Sequence, residues 1–246
     1  MKPILFNTDM VRAILDGRKT QTRRAVKYPN GYVTGRPGWG PQGFDDAVGG
    51  YWFNVVRAQK TATADVVRSP YNPGDILYVR ETWSLIRPSD SPARYVYKAT
   101  DRYPFGLDGY IVKFRWHPSI HMPKEAARLF LRVKNVRVER LQEIDGLGAF
   151  DEGAVAEAPK GCFEPKKPSG YDSWDDQKKR EYVSGIARAG YIARLEFADR
   201  LVKEFARIWD GTIKATDRER YGWDANPWVW VIEFERYEKP DDCCSH

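Results

Sequence analysis

The chain has 246 residues, a net charge of +6 from 40 Lys+Arg against 34 Asp+Glu, and 42% hydrophobic and 14% aromatic residues, enough for a true core in one large domain or two small ones. Three cysteines (Cys162, Cys243, Cys244) build no disulfide framework, and three histidines (His117, His121, His246) give no metal-ligand set. No apolar run reaches the roughly 18 residues of a membrane helix, and the start lacks a signal-peptide layout, so the expectation is a cytoplasmic protein without metal, cofactor or membrane partner.

The first predicted element is a helix. Asn7 and Thr8 can cap it, and Met10, Val11, Ile14 and Leu15 recur at helical spacing until Gly17 stops it. Charge gathers at this end: residues 1–36 hold eight basic residues against two acidic ones, so this segment carries the whole +6. Such a concentration fits phosphate or anion binding, and it also fits a solvated basic rim. Residues 18–24 are polar and β-compatible. Residues 28–71, rich in Gly, Pro and aromatics with a hairpin at Tyr51–Val56, read as an insertion, because linkers are seldom so aromatic.

Asn72, Pro73, Gly74 and Asp75 signal a turn into a strand over 76–83, and 94–98 and 109–115 read as further strands. Residues 116–123 form a loop in which His121 and Met122 pack locally. Alternation over 127–141 predicts a strand or strand pair, and 145–156 a short helix. A second insertion spans about 157–205 and begins with a polar stretch at 159–173. Ser173 is then expected to cap a helix over Trp174–Tyr182, and Tyr191, Leu195, Ala198, Leu201, Val202, Phe205, Ile208 and Trp209 form one apolar stripe. Residues 227–237 are a strong strand, with Trp228 and Trp230 on one face, and residues 239–246 are expected to be a disordered tail. Short strands at both ends of the core with a few helices argue for α+β built on a small, partly closed barrel.

Four segments in order, residues 3–24, 74–83, 118–142 and 223–234, resemble the ASCH-domain family of the PUA-like superfamily, specifically its phage- and prophage-borne members. The resemblance implies an α+β fold: a PUA-like small β-barrel with flanking helices, one domain over 1–238, two long insertions, and a cleft beside the first helix. It also implies a nucleoside, nucleobase or single-stranded nucleic acid as partner. Small bacterial members remove the acyl group from N4-acetylcytidine and related nucleosides, using a Lys and a Thr in a G-R-K-T-x-T-x-R motif and a Glu in a later A-x-x-E segment. Residues 17–24 match the first motif and place Lys19 and Thr22 on the functional pair; residues 149–152 match the second and place Glu152 as the acid.

The chemistry suits those residue types. A Thr hydroxyl needs a base to become a nucleophile, and a lysine serves when burial or a neighbouring cation favours its neutral form. Arg18, Arg23 and Arg24 crowd Lys19 in sequence, and Glu152 can protonate the departing cytosine nitrogen. One geometric condition applies. On a regular strand Lys19 and Thr22 would face opposite sides, so the pair meets only if residues 17–22 turn. For the ligand, Arg18, Arg23 and Arg24 are candidates for phosphates, Glu81 for an exocyclic amine, and Trp83 and Asn226 for the base; Trp83 also reads as core. Three functions stay open: an N4-acylcytosine amidohydrolase, a non-catalytic binder of RNA or modified nucleic acid, and a phage accessory protein with neither activity.

Overall fold

The computed structural model describes residues 1–27, 32–33, 41–45, 50–57, 60–87, 92–100, 115–157, 168–169 and 171–239. It is a mixed α+β structure in two compact units, Met1–Leu141 with Pro227–His246, and Gln142–Asn226. The segment expected as an insertion at 157–205 thus belongs to a unit of its own that starts earlier and ends later. The strand expected at 109–115, the polar stretch at 159–167 and the tail beyond 239 fall almost wholly outside the described residues.

In the first unit, β1 (Lys2–Leu5) leads into α1 (Thr8–Leu15) and β2 (Gln21–Ala25). Asn7 caps α1 by accepting from the Met10 N–H at 2.8 Å, and Val11, Ala13 and Ile14 are buried. Gly17, at φ +75°, ends the helix, and the N–H groups of Arg18 and Lys19 both turn back to the Ala13 carbonyl at 2.9 and 3.0 Å. Left-handed backbone is cheap only for glycine, which explains the residue type at this turn. The first insertion supplies β3 (Tyr32–Val33), β4 (Pro41–Asp45), β5 (Gly50–Arg57) and β6 (Lys60–Arg68), a sheet of its own in which β3, β4 and β6 all pair with β5.

The chain re-enters through the expected turn at 72–75, where Gly74 sits at φ +87°, into β7 (Ile76–Arg80). A single strand over 76–83 was expected, but it breaks at Glu81. Glu81 N–H faces Met122 Sδ at 3.1 Å, and Trp83 opens a second hairpin of β8 (Trp83–Ile86) with β9 (Arg94–Tyr97). Two long strands complete the unit, β10 (Phe130–Arg140) and β11 (Trp228–Tyr237). The main sheet runs β1-β7-β10-β11-β2, parallel only between β1 and β7. Its core side carries Ile4, Phe6, Leu131, Trp230, Ile232 and Phe234, with Trp228 packed against them.

Among the described residues no pairing joins β1 to β2, so the sheet is open where a closed barrel would have a seam. Side chains seal that edge. Phe6 N–H bonds back to Arg80 of β7, so by alternation residues 3 and 5 face outward. The Leu5 carbonyl accepts from Arg24 Nη2 at 2.8 Å and the Pro3 carbonyl from the Tyr71 hydroxyl at 2.8 Å. Pro3 has no N–H to leave bare. The edge therefore offers little to a stray strand.

The second unit is helical: α2 (Gly146–Asp151), α3 (Asp176–Thr212, 37 residues and about 55 Å long) and α4 (Arg218–Tyr221). Asp145 caps α2 at Gly148 N–H, and a Cβ on Gly146 would lie 2.5 Å from Ala198 Cβ, so glycine is what lets α2 approach α3. The cap of α3 is Asp175, not Ser173: its Oδ1 accepts from Lys178 N–H at 2.7 Å, while Ser173 lies in a preceding 3-10 turn. One helix runs through Gly185 and Gly190, each of which costs about 1 kcal/mol relative to alanine. The apolar stripe is buried at Leu201, Phe205 and Trp209, whereas Leu195 is exposed. Trp209 Nε1 donates to Tyr221 O and Trp223 N–H to Asp210, both at 2.8 Å, which closes the C-terminal end of the unit. Among the described residues no helix is long and apolar enough to cross a membrane.

Candidate functional site

The turn after α1 decides where Lys19 goes. Because Gly17 reverses the chain and Lys19 N–H is tied to Ala13, Lys19 precedes β2 instead of lying on it. The alternation that would have separated it from Thr22 therefore does not operate. Both residues are 2% exposed. Thr22 pairs with Ile232 on β11, which places it on the same side of the sheet as the core. Lys19 Nζ stands 5.7 Å from the centre of the Phe6 ring, and Phe6 packs on Phe234. A cation–π contact contributes about 0.5–2 kcal/mol, less than the several kcal/mol that burying an ammonium costs.

Arg24 is the second cation at this ring. Its guanidinium lies 5.5 Å from the Phe6 centre while it holds the Leu5 carbonyl. It also bears on Tyr71: burial raises the phenol above its ordinary range, and the positive charge of Arg24 partly offsets this.

The other expected arginines do not join it. Arg23 is next to Arg24 on a strand and faces the opposite side, where it is buried and meets Glu139 at 3.1 Å. That face holds a polar network: Arg137 bonds both Glu139 and Glu233 and reaches Gln21 Oε1 at 3.5 Å. Arg137 is held above the ordinary guanidinium range: burial opposes this, but the two carboxylates outweigh it. Arg18 pairs with Asp16 at 3.0 Å on the surface. The expected single basic surface is thus divided between two faces of β2 and a helix end.

Glu81 is 1% exposed and takes a two-pronged hydrogen bond from Arg128, at 2.9 and 3.1 Å. Arg128 also donates to Thr100 and stacks 3.9 Å from the Tyr97 ring centre. Trp83 is half-buried, tilted over His117 at 5.0 Å and edge-on to Tyr95 at 5.7 Å. Its indole N–H is buried with no hydrogen-bond partner among the described residues. Asn226 has a turn role: at φ +43°, its Oδ1 accepts from Gln142 N–H at 2.9 Å.

Glu152 belongs to the second unit, where it is the C-terminal cap of α2 and only 7% exposed. Phe6 and Tyr71 were not singled out from the sequence. Phe6 follows the first strand, but nothing local marks it as the ring on which two cations converge. Among the described residues no cluster of His, Cys, Asp or Glu could hold a metal ion. Comparison with family models, with curated proteins and with solved structures found no match.

Proposed function

We propose that the chain is an amidohydrolase of N4-acylated cytosine nucleosides or bases, working in the cleft of a PUA-like, incompletely closed barrel. One observation carries this reading: Lys19 and Thr22, the pair matched to the motif, are both buried, and the Gly17 turn takes Lys19 off the strand that would have kept them apart. Lys19 in its neutral form takes the Thr22 hydroxyl proton, and Thr22 Oγ1 bonds to the acyl carbon. The Lys19 ammonium so formed returns that proton to N4 as the C–N bond breaks, which frees the cytosine product and restores the neutral amine. Water, deprotonated by Lys19, then cleaves the acyl ester: the acid leaves as a carboxylate and Thr22 regains its hydroxyl proton from Lys19.

The monomeric substrate is favoured over a polymer because Arg18 and Arg23 are already paired with carboxylates, leaving less free charge for phosphates. A second reading, recognition without turnover, draws on the ring cluster of Trp83, His117 and Tyr95, whose buried indole N–H a ligand carbonyl would satisfy. A panel of N4-acyl cytosines, their nucleosides and short oligonucleotides separates the two. Release of the free amine supports the hydrolase; saturable nucleoside binding without release supports recognition alone.

A further inference from the structure

Helix α2 turns its small residues to the protein and its large apolar ones to solvent. Its buried positions are Gly146 and Ala149, whereas Leu147 and Phe150 are exposed. A surface helix ordinarily does the opposite, because burying a large apolar side chain contributes about 1.5–3 kcal/mol. The inversion has a local cause. A Cβ on Gly146 would lie 2.5 Å from Ala198 Cβ, so only small residues fit where α2 meets α3. Leu147 and Phe150, three residues apart, share one helix face. Val155 follows them at 62% exposure, and Leu195, also exposed, stands on α3 one turn before Ala198. Single exposed apolar residues are ordinary, but several on one short stretch of a small unit mark an interaction surface.

The surrounding charges define the partner. The exposed positions of 143–157 are Glu143, Asp145, Leu147, Phe150, Val155 and Glu157, every one acidic or apolar. No Lys or Arg occurs between Arg140 and Lys160, in a chain whose net charge is +6. On α3, Arg194 and Glu196 flank Leu195 and offset each other, and Lys203 is paired with Asp199 at 2.6 Å. We propose that this face of the second unit docks a basic amphipathic helix of another protein, with Leu147 and Phe150 as the apolar anchors. A symmetric contact between two copies would set the acidic rim against itself, and like charges across an interface cost affinity. The same carboxylates repel the phosphates of a nucleic acid. Neither Lys19 nor Thr22 belongs to this unit, so docking here stands independently of hydrolysis.

The probe is a fluorescein-labelled peptide of about 18 residues, leucine and lysine only, with its leucines on one helical face. Its binding to the full chain is read by fluorescence anisotropy. Saturable binding that weakens as salt rises is expected, because the rim charges are exposed and therefore screened. Leu147→Gln and Phe150→Ser should each weaken it at least about 10-fold by removing an anchor. Glu157→Lys should weaken it a few-fold and flatten the salt dependence. All three residues are exposed, so the variants should keep the wild-type melting temperature, which separates a lost anchor from a lost fold. A serine–lysine peptide carries the charge without the anchors and should bind at least about 10-fold more weakly. No binding of the leucine–lysine peptide overturns the proposal, as does an affinity unmoved by Leu147→Gln and Phe150→Ser. Equal binding of a leucine–glutamate peptide overturns it as well. Dimerisation of the wild type that is lost in Leu147→Gln, seen by sedimentation velocity, would give the face to a second copy and refute the basic partner.

Discussion

Removing Arg128 should take its two-pronged partner away from the buried Glu81 carboxylate. That carboxylate is 1% exposed, and its two oxygens take hydrogen bonds from the same guanidinium at 2.9 and 3.1 Å. Breaking a buried pair from one side costs about 3–5 kcal/mol, mostly for the charge left behind. Arg128 is itself 29% exposed, so water relieves part of this and the lower end, about 3 kcal/mol, applies. Arg128→Met is therefore expected to lower the melting temperature by roughly 6–12 °C in a domain of this size. Adding Glu81→Gln should recover much of the loss, because an amide is far cheaper to bury than an unpaired anion. Chemical denaturation of the two single variants and the double variant gives the coupling energy. If the double variant is as unstable as the sum of the singles, Glu81 is not held as an anion against Arg128.

Three further outcomes are expected. Gly17→Ala should cost about 1 kcal/mol by urea denaturation, purely from the left-handed backbone, since no atom lies within 4 Å of the added methyl; a neutral substitution would mean the turn holding Lys19 is not fixed as described. Gly146→Ala should destabilise by about 1–3 kcal/mol through the 2.5 Å clash with Ala198 Cβ, and Ala198→Gly added to it should restore part of that; no rescue would place the strain elsewhere. Asp75 is pulled below its ordinary range: burial opposes this, but hydrogen bonds from Lys2 and Asn72 outweigh it. A carboxyl depressed in the folded state stabilises above its unfolded value and loses that contribution as pH falls through the folded one. Wild-type stability should therefore drop more steeply below about pH 4 than that of Asp75→Asn, and parallel acid titrations would contradict it.

Local features were legible in the sequence where their cause is local. The end of α1 at Gly17, the turn at 72–75 and the last strand follow from backbone freedom, turn chemistry and alternation. What was not legible depends on partners far along the chain. The run 76–83 looks like one strand by composition, yet Met122 and His117 redirect it at Glu81. The basic segment looked like a surface because its charges are neighbours in sequence, whereas Arg23 finds its carboxylate 116 residues away. Asp175 displaced Ser173 as a cap because the helix begins two residues later than the aromatic at Trp174 suggested. Of the candidate site, the Lys19–Thr22 spacing was legible. The convergence of Lys19 and Arg24 on Phe6 was not, since it depends on the strand order of a five-stranded sheet.

The most direct measurement is release of cytidine from N4-acetylcytidine by the wild type beside Lys19→Arg, with nucleoside affinity measured on both. The wild type is expected to turn over. Lys19→Arg should be slower by at least about 100-fold, because a guanidinium stays protonated and cannot act as the base. Its affinity should change only a few-fold, since the amine acts in the transition state. No cytidine from the wild type, or equal rates from the two proteins, would contradict Lys19 as the base that activates Thr22.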